Sequence, residues 1–443
     1  MLPRRAVAPA ALAGSLGALG LAIAVVAGFD SGASGLQYYV SESWIPGLGV
    51  RYQLGVDGLS VFLVLLTALL WAASTAFAAF RQPEGRERVY FFMLALGETA
   101  ALGAFLAQDL LLFVLFFDLM LIPFWFLIGA FGGENRIAAT TKMIVYTLVG
   151  SLLMLVAAIA TAILASGAVG HISFSLADLR AHTLGTSSQY WIFCFFAAAF
   201  LVKMPAFLVH GWLPDAYRAA PLPVLALLSG VLSKVGAYGF LRIVLPLYPQ
   251  ATTHFQELLL VIGVAGILYG SVMAFTQTNV RLIAGYSSIA QLGFITLGIF
   301  SLRADGADGS VLQMVNHGLV VAGVFQSKIV YALVAAIGVG LAAYYAIRLF
   351  QRTMHNRLPE GIESREISLR DAAALVPVAA CIVGLALYPG LITSRADTSV
   401  KSSVSAATAS PRPAVRGPQV STRTWSVASC GQRTADCRRA GRS

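Results

Sequence analysis

Runs of about 20 apolar residues follow one another along this chain with only short polar connections between them, the length at which a helix crosses the hydrocarbon core of a bilayer. The pattern predicts about 12 spans, near residues 6–28, 59–80, 89–107, 110–131, 140–166, 190–210, 222–245, 257–275, 281–301, 309–326, 328–350 and 371–393. They make residues 1–394 one all-α, polytopic transmembrane domain. Residues 395–443 lack periodicity and are rich in Ser, Thr, Arg, Pro and Gly, so they read as a basic, disordered tail or as translation out of frame. The first run follows MLPRR and is longer than a signal-peptide core, which makes it an uncleaved span.

Charge orients the spans. With Arg4 and Arg5 in the cytoplasm, alternation also places Arg81, Arg86, Arg88, Arg136, Lys142, Arg218 and Arg281 inside, and only Arg51, Arg180, Arg242 and Arg303 outside. That is the positive-inside bias of a multi-pass protein of the cell's inner (plasma) membrane. The rule then fails: the loop carrying Arg348, Arg352, Arg357, Arg365 and Arg370 falls outside, as though one span were missing near residue 326.

Composition agrees with lipid as the solvent, at 58% hydrophobic and 11% charged residues. The formal charge of +10 is no nucleic-acid signal, because the tail holds nine Lys/Arg against Asp397 and Asp436 and so supplies most of it. Cys194 and Cys381 lie in apolar runs and Cys430 and Cys437 in the tail, with no CxxC pair and no glycine-rich phosphate loop. The chain is therefore expected to carry no metal, haem, nucleotide or other cofactor of its own.

Lysine usage carries the chemistry. Only five of the 30 basic residues are Lys, at 142, 203, 234, 328 and 401, and four of these lie in or at membrane runs. Arg stays protonated, whereas a desolvated Lys can release its proton. Lys203 sits two residues before Pro205, which leaves the Leu201 carbonyl without a helical donor. A broken helix beside an ionisable group is how transporters open backbone to a buried, hydrated site. Asp118 lies mid-run, five residues before Pro123, and an isolated carboxylate there must pair with a cation or take up a proton. Lys234 is central in its run with Tyr238 one turn on, and His317 in QMVNHGLVVAG carries a side chain suited to proton transfer. Glu98 and the polar run Tyr286, Ser287, Ser288 and Gln291 are weaker candidates for a hydrated path. Lys142, Lys328 and Arg242 read as interfacial side chains that reach out of the membrane. His171, His182, His254 and His355 fall in loops.

At these residues the chain resembles the antiporter-like membrane subunits of proton-pumping NADH:quinone oxidoreductase, respiratory complex I, and among them the M type. The resemblance covers roughly residues 6–395 and is carried by FLAQDLLLFVLFFDLMLIPFWFLIG, LVKMPAFLVHGWLPDAYRAAPLPVLALLSGVLSKVGAYGFLRIVLPLYP and QMVNHGLVVAG. It implies a 14-helix fold with inverted repeats and discontinuous helices, and membrane-arm partners of L and N type. It also implies a proton relay in which Asp118 takes the carboxylate place, Lys203 its partner, Lys234 the central lysine and His317 the histidine.

The chain departs from the family pattern in three ways. Asp118 stands where the family has Glu, one methylene longer, and Gln291 stands where many relatives have His. The family's first helix is absent, and the segment skipped after AGVF near residue 325 would carry a second broken helix and the exit group. A subunit of a multisubunit sodium/proton antiporter, or a truncated remnant that does not pump, are the alternatives at this stage.

Overall fold

The computed structural model describes residues 3–33, 35–80, 85–315, 380, 388 and 390–408. A first helix, α1 (Arg4–Ala27), leads to an antiparallel hairpin of β1 (Gln37–Ile45) and β2 (Val50–Val56), the one departure from an all-α chain among the described residues. Then follow α2 (Val61–Phe80), α3 (Glu87–Leu106), α4 (Leu110–Leu119), α5 (Leu121–Phe131), α6 (Arg136–Val169) and the short α7 (Leu176–Ala181). Next come α8 (Thr186–Lys203) and α9 (Leu213–Ala219). One interrupted span runs through α10 (Leu222–Leu227), a π turn at Leu228–Leu232, α11 (Ser233–Gly239), a second π turn at Phe240–Val244 and α12 (Leu245–Leu247). After α13 (Pro249–His254), α14 (Gln256–Thr276) and α15 (Val280–Phe300) comes α16 (Ala304–Val315), and after the undescribed stretch α17 (Gly390–Thr408).

Eight helices among the described residues are long and apolar enough to cross a membrane: α1, α2, α3, α4 with α5, α6, α10 through α12, α14 and α15. The predicted run 190–210 is divided between α8 and the break after Lys203. Of the last three predicted spans, 328–350 lies outside the described residues, 309–326 is described only to Val315, and 371–393 chiefly at its end. The segment missing near residue 326 and the tail beyond 408 also lie outside them. The structure corrects the expectation of disorder from residue 395, because α17 is helical to Thr408. Its composition is polar on average, yet Ile392, Ala396, Val400, Ser403, Val404 and Ala407 recur at helical spacing and are buried.

A bilayer offers no water to buried polar groups, so the large amphipathic side chains of the core bond internally. Trp71 Nε1 donates to the Leu94 carbonyl at 2.8 Å and Trp212 Nε1 to that of Val202 at 2.9 Å. The Tyr248 and Thr161 hydroxyls meet at 2.7 Å. Outward, α6 exposes Ile137, Val145, Leu148, Leu152, Ile159 and Ile163, the arrangement a lipid-facing helix requires. Its 34 residues make about 50 Å of helix, more than a hydrocarbon core is thick.

Candidate functional site

The break after α8 is built by proline. Pro205 has no N–H for the Leu201 carbonyl, which accepts instead from the Ala206 amide at 2.9 Å, while the Val202 carbonyl takes the Trp212 indole. Residues 204–212 are irregular, and Leu208 sits at φ 82°, a left-handed conformation that costs a non-glycine residue free energy and persists only where its surroundings enforce it.

Lys203 is the last residue of α8 and is 2% exposed. Its ammonium donates to the Phe117 carbonyl at 3.1 Å and lies 4.5 Å from the centre of the Phe117 ring. Asp118 is the next residue of α4. Its carboxylate and the Lys203 ammonium act on each other electrostatically, but no contact within 4 Å joins them. Ser151 of α6 stands beside the carboxyl group, and Oδ1 has no hydrogen-bond partner. The shorter aspartate thus sits in range of Lys203 without forming a direct pair.

Lys234 lies in α11 between the two π turns, and its ammonium folds back on the Ser229 carbonyl within the first of them. A π turn displaces carbonyls from the helical ladder, which is why such turns gather at functional sites. The backbones of α11 and α8 are in close contact, since a Cβ on Gly236 would lie 2.7 Å from the Phe200 carbonyl oxygen. The helical segments bearing Lys203 and Lys234 are therefore neighbours. His317 lies outside the described residues.

Among the weaker candidates, Glu98 is buried and its Oε1 has no partner. Gln313 of α16 donates Nε2 to Gln291 Oε1 at 2.6 Å, and Tyr217 of α9 reaches Ser288 at 3.5 Å, so the polar run on α15 meets both neighbouring helices. Lys142 pairs with Asp215 at 2.8 Å with its side chain 42% exposed, as an interfacial lysine should.

Arg242 corrects its sequence reading. Rather than reaching into the interface it is 3% exposed and bonds Asp57 at 2.8 Å, its Nε donating to the Tyr238 hydroxyl at 2.9 Å. Tyr238 in turn donates to the Phe105 carbonyl at 3.0 Å, and Arg180 donates to the Arg242 carbonyl at 2.8 Å. Asp57 lies in the loop before α2. Burial works against its charge, but the Arg242 guanidinium, the Ser60 amide and the more distant Arg180 hold its carboxyl below the usual carboxylate range. The partners are 185 positions apart in sequence, so no local pattern announced the pair. His210 was missed as well: it lies in the break, its ring 4.8 Å from Tyr269 and 6.1 Å from Phe207, with Nδ1 unpartnered. Its position seven residues after Lys203 was the available signal.

No group of three or more His, Cys, Asp or Glu side chains suited to a metal ion occurs among the described residues. The geometry places Lys203 at the end of one interrupted helix, bonded to the Phe117 carbonyl, and Lys234 between two π turns, bonded to the Ser229 carbonyl.

Residues 107–332 match the family described as "NADH:quinone oxidoreductase/Mrp antiporter, TM". The chain is 33% identical over 448 residues to NADH-quinone oxidoreductase subunit M of Rhodobacter capsulatus, covering 86% of this chain and 87% of that protein. It is 40% identical over 297 residues to NAD(P)H-quinone oxidoreductase chain 4 2 of Thermosynechococcus vestitus, covering 67% of this chain but only 55% of that relative. Among solved structures, a chain of respiratory complex I from Thermus thermophilus superposes with a TM-score of 0.81 at 26% identity, over 92% of this chain and 96% of that one. A chain of the Mrp complex from Dietzia superposes at 0.75 with 19% identity over 91% and 95%, a likeness of fold alone.

Proposed function

The chain belongs to the NADH:quinone oxidoreductase/Mrp antiporter family of membrane proteins, and from that premise we propose that it translocates protons as a membrane-arm subunit of NADH:quinone oxidoreductase. In this reading it stands beside L- and N-type neighbours, and quinone is reduced in other subunits. The observation that carries the proposal is Lys203, an ammonium at 2% exposure, at the end of a broken helix and within electrostatic range of Asp118.

The residues act in order. Asp118 supplies the counter-charge that keeps the Lys203 proton in place. When the redox reaction shifts that carboxylate or its field, the ammonium loses support and gives its proton toward Lys234, whose helix lies against α8. The Ser229 carbonyl at the π turn receives the newly charged group, and His317 follows in the sequence of carriers. Redox energy enters as a change of charge or shape, and this subunit moves only protons.

The test is the assembled quinone reductase in sealed vesicles, with NADH-driven acidification and quinone reduction read together. Lys203→Met should abolish acidification, and so should Lys203→Arg, which keeps the charge but holds its proton. Normal acidification by Lys203→Met would sink the relay. The fold likeness to the Mrp complex supports a second reading, sodium/proton exchange without redox partners. Sodium-dependent exchange by vesicles lacking NADH would favour it.

A further inference from the structure

Where α7 meets the second π turn, two guanidinium groups share one carboxylate. Arg242 is 3% exposed, and it donates Nη1 to Asp57 at 2.8 Å and Nε to the Tyr238 hydroxyl at 2.9 Å, but its Nη2 is buried without a partner. Arg180 reaches in from α7 and donates Nη2 to the Arg242 carbonyl at 2.8 Å, and its Nε is likewise buried without a partner. Pro246 has no N–H to offer that carbonyl, so the second guanidinium is held by a backbone acceptor in place of a carboxylate.

The charges do not balance. Asp57 is the one carboxylate that acts on Arg180 among the described residues, and it already bonds Arg242 directly. Asp178, two residues before Arg180, is taken by the Ser173 hydroxyl at 2.6 Å. Burial, and then repulsion from Arg242, draw the Arg180 guanidinium down to about 10 from the usual arginine range. A buried N–H without an acceptor costs the desolvation of that group, and a buried charge without a counter-charge costs more. Water would accept from both free donors and leave the charge uncompensated. A small anion answers both needs.

We propose that Arg180 and Arg242 bind one monovalent anion of chloride size, accepting from Arg180 Nε and Arg242 Nη2 at the outer end of the interrupted span. Two guanidinium groups, one carboxylate and one halide then sum to zero. Arg180 is only partly buried, which gives the ion a way in from the outer face.

The test is the melting temperature of the full chain in detergent as sodium bromide replaces sodium gluconate at constant ionic strength. An ion that binds the folded chain stabilises it in step with occupancy, so the midpoint should rise by about 2 °C or more and then level off. Arg180→Gln removes one donor and the excess charge, and should flatten the bromide response. Lys142→Gln, at the opposite end of the molecule, should leave that response as in the parent. A midpoint that stays still, that climbs without levelling off, or that rises as much in Arg180→Gln as in the parent would overturn the site. If Arg180→Gln does not fold, anomalous scattering from bromide-soaked crystals of the parent decides. A bromide peak within hydrogen-bond distance of both guanidinium groups is the expected result, and no peak there would overturn the proposal equally.

Discussion

At the scale of single residues, the buried charges of this chain are held in two ways. Lys203 has a carbonyl, an aromatic face and a carboxylate within range but not in contact, which suits a proton that must leave. Arg242 has a direct carboxylate and a hydroxyl, which suits a charge that must stay. Asp57→Asn strands Arg242 at 3% exposure and should destabilise the chain by about 3–5 kcal/mol, seen as a lowered melting temperature in detergent. The pair also sets an acid limit. Asp57 titrates lower in the folded chain than its free value of 3.8, so its stabilisation is complete above that value and is lost as pH falls through the folded one. Melting temperature should be insensitive to this pair above about pH 5 and drop below about pH 4, and Asp57→Asn should remove that part of the drop. An unchanged acid limb in Asp57→Asn would show that the pair does not set it.

At the scale of elements, both candidate lysines sit where a helix is interrupted, by proline at the end of α8 and by π turns around α11. The contact between these two elements depends on a missing side chain. A Cβ on Gly236 would lie 2.7 Å from the Phe200 carbonyl and 3.2 Å from the Met204 side chain, so any larger residue must push α11 off α8. Gly236→Val should reduce acidification several-fold while Lys203 and Lys234 are both retained, and coupled pumping at the parental rate would show that close packing of the two helices is not needed. The proline break was legible from the order Lys203, Pro205, Pro214. The second π turn has a comparable signal, since Pro246 offers no N–H to the Arg242 carbonyl, but the first has none, because LSGVL carries no residue that forbids an ordinary helix.

At the scale of the whole molecule, the short elements divide between the two ends, with α9 at the end where Lys142 meets Asp215. The hairpin, α7, α13 and α17 all lie at the end that the charge count puts outside, where Asp57 and Arg242 meet. There α17 runs against the turn beside Asp57, since a Cβ on Gly58 would lie 1.7 Å from the Arg395 carbonyl oxygen. Its hold comes from one stripe, in which Val400 is fully buried. Val400→Asp should release the helix and speed trypsin cleavage after Arg395 and Lys401 in the purified chain, while protection equal to the parent would mean that the stripe does not anchor it.

By itself the sequence determined the solvent and most of the spans, and it singled out the ionisable candidates within them. Each of these follows from local runs of apolar residues and from single charges within them, whose desolvation cost does not depend on what lies across the bundle. Tertiary structure alone decided how those charges are compensated. It placed Asp118 within range of Lys203 but short of contact, joined Arg242 to a carboxylate 185 positions away, and folded a polar-looking segment into α17. Coulombic and hydrogen-bond terms act over a few ångströms in space, and distance along the chain carries no record of them.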